Sequence, residues 1–99
     1  MQITPLVFGD LVAPLPIVQG GMGVGISLSG LAGAVAKEGG VGVISGVEIG
    51  FCWPGYQRNK AKANFEALSW HIRRAKEIAP AGIIGVNLMV DLSNYDEMV

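Results

Sequence analysis

Nine uncharged residues, Gln19-Gly20-Gly21-Met22-Gly23-Val24-Gly25-Ile26-Ser27, carry four glycines directly after the apolar run Leu15-Pro16-Ile17-Val18. Each glycine inside a strand or helix costs roughly 0.5–1 kcal/mol relative to alanine. Such a cluster therefore marks an unusual backbone path or a place where something must approach the main chain closely. Neither of two common phosphate-cradle patterns fits it. The dinucleotide pattern G-x-G-x-x-G begins at Gly21 and Gly23 but finds Ile26 in its last position, and starting at Gly23 it finds Leu28. The pattern G-x-x-x-x-G-K-[ST] places Gly25 and Gly30 but then meets Leu31 instead of lysine. A generic ligand-contacting turn remains.

The other chemistry-bearing residues are few. Cys52 is the single cysteine and His71 the single histidine, so neither a disulfide framework nor a cysteine-based metal cluster is expected. No carboxylate pair stands at metal-ligand spacing beside His71, and no metal site is expected. Nothing near Cys52 would obviously lower its pKa, so it is not proposed as a nucleophile.

The elements that must position these residues follow from the apolar patterning. Residues 3–16 form a lead-in of short apolar runs broken by prolines. A short buried strand is expected over residues 17–19, then the glycine turn. A helix follows over residues 28–38, with Leu28, Leu31, Ala32 and Val35 as its buried stripe. Ser27 or Ser29 would cap its start, and Gly39-Gly40 would end it. Residues 41–45, Val-Gly-Val-Ile-Ser, read as a second strand without strict alternation, as in a parallel strand covered on both faces. A longer loop with a Pro54-Gly55 turn leads to a second helix over residues 61–78. Phe65, Leu68, Ile72, Ala75 and Ala79 form its buried stripe, with Arg73 and Glu77 as an outer i,i+4 pair. Pro80 closes it, residues 83–90 form a third strand, and residues 93–98 begin another loop and helix.

Strands alternating with amphipathic helices predict a parallel sheet in an α/β protein, either a doubly wound sheet or an eight-stranded β/α barrel. Active sites in both gather beyond the carboxyl ends of the strands. Those ends here are residues 19–23, 45–46 and 87–91, so order alone marks the glycine turn. Ser45 could line a pocket there or cap a neighbouring element.

Composition narrows the class. The 99 residues are 51% apolar, with fifteen glycines and a net charge of −1. This is too apolar for a disordered chain and for a self-contained domain of this size, so a part of a larger domain is expected. Basic residues gather between positions 57 and 79 (Arg58, Lys60, Lys62, Arg73, Arg74, Lys76). They lie along a helix whose other face is apolar, which reads as a solvated surface rather than a nucleic-acid site. Residues 11–36 carry no charge, but Pro14, Pro16 and the glycines, without flanking cations, argue against a membrane span. No basic N-terminal signal precedes them. A reducing, cytoplasmic setting fits the cysteine count.

Residues 16–45 and 75–90, from Pro16 through the glycine turn to Ser45 and then through Asn87, strongly resemble the nitronate monooxygenase family. Bacterial flavin-dependent enoyl-acyl-carrier-protein reductases share the pattern. It consists of a "PI-x-Q" strand running into a small-residue turn with methionine, then "GG-x-G-x-(I/L)-S", then "G-V-N", in that order. The similarity covers roughly positions 14 to 99. It implies that residues 1–99 supply the first three β/α units, the N-terminal part of a single TIM (β/α)8 barrel domain. A complete barrel takes about 250 residues.

The resemblance also implies flavin mononucleotide (FMN) as cofactor, with the turn after the first strand lying against the isoalloxazine ring. The matching cofactor-binding positions are Gly20, Gly21, Met22, Gly23, Asn87 and Met89. Glycines without Cβ atoms would let the backbone lie flat on the ring. Met22 would add a soft contact or be an ordinary core methionine. Asn87 would offer a donor and an acceptor to the ring's polar edge, or make a structural bond to a loop. Met89 matches a position that varies among relatives. The family's catalytic histidine comes from later in the chain, so no catalytic residue is assigned here, and His71 reads as structural or surface.

The activity implied is oxidation of an alkyl nitronate with dioxygen. The nearest alternative is enoyl-thioester reduction with NAD(P)H, and a further one is an inactive truncated chain. The partners implied are a small-molecule substrate and dioxygen, with no nucleic acid and no membrane. A homo-oligomer of the full-length protein is compatible with this reading.

Overall fold

The computed structural model describes residues 3–88. It opens with a hairpin that the proline-broken lead-in had concealed: β1 (Leu6–Phe8) pairs antiparallel with β2 (Leu11–Ala13). The two-residue Gly9-Asp10 connection supplies its turn. Gly9 takes φ +58° at the first turn position, where hairpins of this length favour glycine.

The α/β part follows. Residues 17–19 lie parallel to β3 (Val41–Ser45) through a single bridge, Val18 to Val41. On its other side β3 pairs parallel with β4 (Ile83–Asn87), in register from Val41–Ile83 to Ser45–Asn87. Helices α1 (Ser29–Lys37) and α2 (Lys60–Ile78) make the two crossovers. The order is therefore strand segment, α1, β3, α2, β4: two strand–helix units and the strand of a third. Anything after Leu88, including the expected continuation of that strand and the next helix, lies outside the described residues.

Both helices pack tightly, and their buried faces are made mostly of small residues. On α1 the buried positions are Ser29, Ala32, Gly33 and Ala36, while Leu31 is exposed. The expected stripe through Leu28, Leu31 and Val35 is thus rotated. The reason lies in the distances of approach. A Cβ on Gly42 of β3 would stand 1.9 Å from the Ala32 carbonyl oxygen, and one on Gly33 would stand 2.9 Å from the Ile78 side chain. Only small residues allow α1 to settle so close to both partners.

On α2 the expected stripe holds at Leu68, Ala75 and Ala79 and fails at Phe65. Ala63, Asn64, Ala67, Leu68 and Ala75 are buried, Ala79 just beyond it is too, and Phe65 is exposed. The core joins Ala32, Ile44, Ile49, Ala67, Leu68 and Ala75. Asn59 caps α2 by accepting the Lys62 N–H at 3.1 Å. The outer ion pairs are Arg74–Glu77 and Lys62–Glu66, not Arg73–Glu77. Ile17 and Val18 are more than half exposed rather than buried, because no described element packs over them.

α1 is capped from another element. Its N-cap is Leu28, with no side-chain cap bond of its own, so neither Ser27 nor Ser29 plays that part. His71 on α2 does so: its Nδ1 accepts the Ser29 N–H at 3.3 Å and faces Ser29 Oγ at 2.9 Å. The ring also meets Trp70 edge-on at 4.9 Å. His71 is therefore structural. Burial lowers its pKa from the usual 6.5, and protonating Nδ1 would remove the acceptor and place a cation at a helix N-terminus.

The consequence for stability has a definite sign. A depressed folded-state pKa means that the unfolded chain takes up the proton first as pH falls. The His71 contribution is fully present above pH 6.5 and is lost as pH falls through the lower folded value. Urea denaturation between about pH 7.5 and 5 should show stability dropping toward acid. His71→Gln should flatten that part of the profile, and an unchanged slope would remove His71 as its origin.

Candidate functional site

The carboxyl ends of the three parallel segments converge where the sequence places the glycine turn. The main chain leaves the sheet at Gly20 and returns at Ser27, and two buried serines hold it. Ser27 Oγ accepts the Met22 N–H at 2.9 Å, and the Ser27 N–H donates to the Met22 carbonyl at 3.2 Å. Ser45, at the end of β3, donates its hydroxyl to the Gly23 carbonyl at 2.8 Å and its N–H to the Ser27 carbonyl at 2.7 Å. Ser45 is thus a latch on the turn, and its hydroxyl is spent there.

Each glycine has its own reason. Gly23 and Gly25 take φ +55° and +77°, a left-handed backbone that other residues resist. A Cβ on Gly25 would also meet the Phe51 ring at 2.9 Å. Gly21 has ordinary dihedrals but no room: its Cβ would stand 2.9 Å from Asn87 Cβ and 3.2 Å from Asn87 Nδ2. The structure therefore brings Gly21 and Asn87 together across the strand ends. Gly20 has open space around its missing Cβ, with no atom within 4 Å. Met22 is 59% exposed among the described residues. Met89 lies outside the described residues.

Several polar groups at this surface are open. The N–H groups of Gly20, Gly21 and Gly23 meet no acceptor among the described residues, and the exposed Asn87 side-chain amide meets no partner among them either. The Met22 N–H, in contrast, is committed to Ser27. A planar heterocycle with alternating donors and acceptors on its edge fits such a surface: glycine backbone below, N–H donors along one side, an amide at the strand end. Exposed Met22, Val24 and Ile26 supply apolar contact beside it.

The loop after β3 borders the same end. The Gly46 N–H donates to the Asn87 carbonyl at 2.9 Å, and the Gly50 N–H donates to buried Asn64 Oδ1 at 2.7 Å. Glu48 takes φ +46°, unusual for a residue with a side chain, and its carboxylate accepts the Tyr56 hydroxyl. Cys52 in this loop is exposed. Sequence patterning assigns no role to Glu48 or Phe51 and gives Ser27 only as a helix-cap candidate, because each acts through tertiary contact rather than through a spacing. A separate cleft of about 300 Å³, lined by Ala13, Pro14, Ala36, Gly39, Pro80 and Ile83, opens at the opposite, amino end of the strands.

Among the described residues no group of His, Cys, Asp and Glu could hold a metal ion, and no helix is long and apolar enough to cross a membrane. A family model described as nitronate monooxygenase matches residues 8–98. No curated protein is a significant match to the chain.

Proposed function

The chain belongs to the nitronate monooxygenase family of oxidoreductases, with residues 8–98 matched, and from that premise we propose that it forms the ring-facing part of an FMN site. The activity proposed for the whole protein is oxidation of alkyl nitronates with dioxygen. The observation that carries this reading is the approach of Gly21 to Asn87 at the strand ends, with unpartnered N–H and amide groups around them. When bound, FMN would supply the redox chemistry, taking electrons from the nitronate and passing them to dioxygen.

The residues of this chain bind and orient. Gly20, Gly21 and Gly23 offer backbone free of Cβ atoms, and their N–H groups favour an electron-rich ring edge. Asn87 presents a donor and an acceptor whose desolvation, left unpaired, would cost about 1–3 kcal/mol. Pairing them with a complementary ring edge recovers that cost and selects the ring's orientation. Ser45 and Ser27 keep the turn from collapsing onto the strand ends. His71 is held by Ser29 on the outer helical layer, so no proton transfer is assigned to it.

Anaerobic stopped-flow mixing of the complete protein, loaded with FMN, tests the activity. Bleaching of the flavin absorbance by an alkyl nitronate, with reoxidation on admitting dioxygen, is the expected result. Reduction by NADH or NADPH but not by nitronate would overturn it in favour of enoyl-thioester reduction.

A further inference from the structure

The ladder between residues 17–19 and β3 ends in an unusual way. Its first rungs are regular: the Val41 N–H donates to the Ile17 carbonyl at 2.8 Å, and the Gln19 N–H to the Val41 carbonyl at 3.0 Å. In a regular parallel ladder the next rungs would join the Val43 N–H to the Gln19 carbonyl and the Gly21 N–H to the Val43 carbonyl. Neither is made by the main chain. The Gln19 side chain makes both: Oε1 accepts the Val43 N–H at 3.1 Å, and Nε2 donates to the Val43 carbonyl at 3.1 Å.

We propose that Gln19 is a positioning residue, a side-chain surrogate for the last two rungs that releases Gly20 and Gly21 from the sheet toward the ligand. The Val43 peptide groups must be paired, because unpaired main-chain groups in a sheet are costly. If the Gln19 amide did not pair them, the backbone of Gly21 would be drawn down to do so. Its N–H would then point at Val43 instead of at the flavin edge. Glycine at position 21 makes this competition close, since it lies against Val43 and Asn87 with no Cβ to hold it off.

The requirement on position 19 is specific. One group must donate and accept at the end of two methylenes, which a primary amide does. Asparagine is one methylene short. A carboxylate accepts but cannot donate, and leucine does neither. A protonated carboxyl group, with one O–H and one C=O, satisfies both Val43 groups again.

This inference rests on the flavin reading for its functional consequence but not for its structural one, and the experiment separates the two. Amide hydrogen exchange on the flavin-free full-length protein reads the Gly21 N–H directly. In Gln19→Leu the Gly21 amide should exchange at least about tenfold more slowly than in wild type, as it gains the Val43 carbonyl. FMN affinity, read by flavin fluorescence, should fall at least about tenfold in the same variant.

Gln19→Glu guards against a variant that fails to fold, since it preserves side-chain size. Its FMN affinity relative to wild type at the same pH should recover as pH falls from about 7 to about 4, through the glutamate range near about 4.3 where the carboxyl group takes up its proton. A Gly21 amide that exchanges at the wild-type rate in Gln19→Leu overturns the proposal whatever the FMN affinity. So does a Gln19→Glu affinity that runs parallel to wild type at every pH. Wild-type protein that binds no FMN would refute the flavin reading alone, leaving the exchange result to decide the role of Gln19.

Discussion

Gly42→Ala is expected to be the most damaging single-methyl change in this chain, costing about 3 kcal/mol or more, the upper end of overpacking penalties. The added Cβ would stand 1.9 Å from the Ala32 carbonyl oxygen, 2.7 Å from its carbonyl carbon and 3.0 Å from its Cα. All three are helix backbone, so no rotamer change can relieve the clash. Either α1 lifts off β3 or the strand shifts out of register with β4. Lifting α1 exposes Ala32 and Ala36 and strains the Ser29–His71 contact at the helix start. Folded domains carry only about 5–15 kcal/mol of net stability, so the variant should lose a large share of it. Gly85→Ala, on the adjacent strand, is the control. Its Cβ would meet Val43 Cγ2 at 3.7 Å and the Gly42 carbonyl at 3.9 Å, ordinary contacts that should leave stability within about 1 kcal/mol of wild type. Urea midpoints of the two variants side by side test the argument, and equal losses would refute the tight α1–β3 approach.

That clash also explains which parts of the fold could be read from the residues. β3 was legible with its observed bounds, because Val-Gly-Val-Ile-Ser sits between a Gly-Gly stop and a loop glycine. α2 was legible to within one residue at its start, through its length, amphipathic pattern and Pro80. The buried faces of both helices were legible only in part, at Ala32, Leu68, Ala75 and Ala79. Periodicity weights large apolar residues, whereas the closest approaches here admit only small ones, so Leu31 and Phe65 turn outward. The hairpin at residues 6–13 is masked by its flanking prolines and by strands of only three residues, so that the Gly9-Asp10 turn is its one local signal. At the site, the glycine turn and Asn87 were legible as a pair of strand ends, and the structure adds their contact. The latches were not legible. Nothing in the spacing of Gln19, Ser27 or Ser45 tells that their side chains bind main-chain groups of the turn and of β3, since those partners are defined only once the strands align.

Substitutions at Gly20 and Gly21 should both weaken FMN binding, but for different physical reasons, and the difference tests the site more sharply than either alone. Gly21→Ala places a methyl 2.9 Å from Asn87 Cβ and 3.3 Å from Val43 Cγ1. The turn must move away from the strand ends, carrying the Gly21 N–H with it. Losing one or two aligned hydrogen bonds of about 1–1.5 kcal/mol each corresponds to roughly tenfold to a hundredfold in affinity. Stability should change little, because the turn can shift outward into solvent. Gly20→Ala touches no protein atom within 4 Å and needs no left-handed dihedral. It should leave the unfolding midpoint unchanged or slightly raised. Any loss of FMN affinity in Gly20→Ala can then arise only from the methyl meeting the ligand, which makes it the cleaner probe of the proposed ring-facing surface. A Gly20→Ala protein that binds FMN as wild type does would place the ring elsewhere. Asn87→Ala completes the set: it removes the amide without adding bulk, so it should weaken FMN binding while leaving Gly21 where it is. If Gly21→Ala weakens binding and Asn87→Ala does not, the turn contacts the ligand and the amide does not. The reverse pattern would move the ligand onto β4 and away from the glycines.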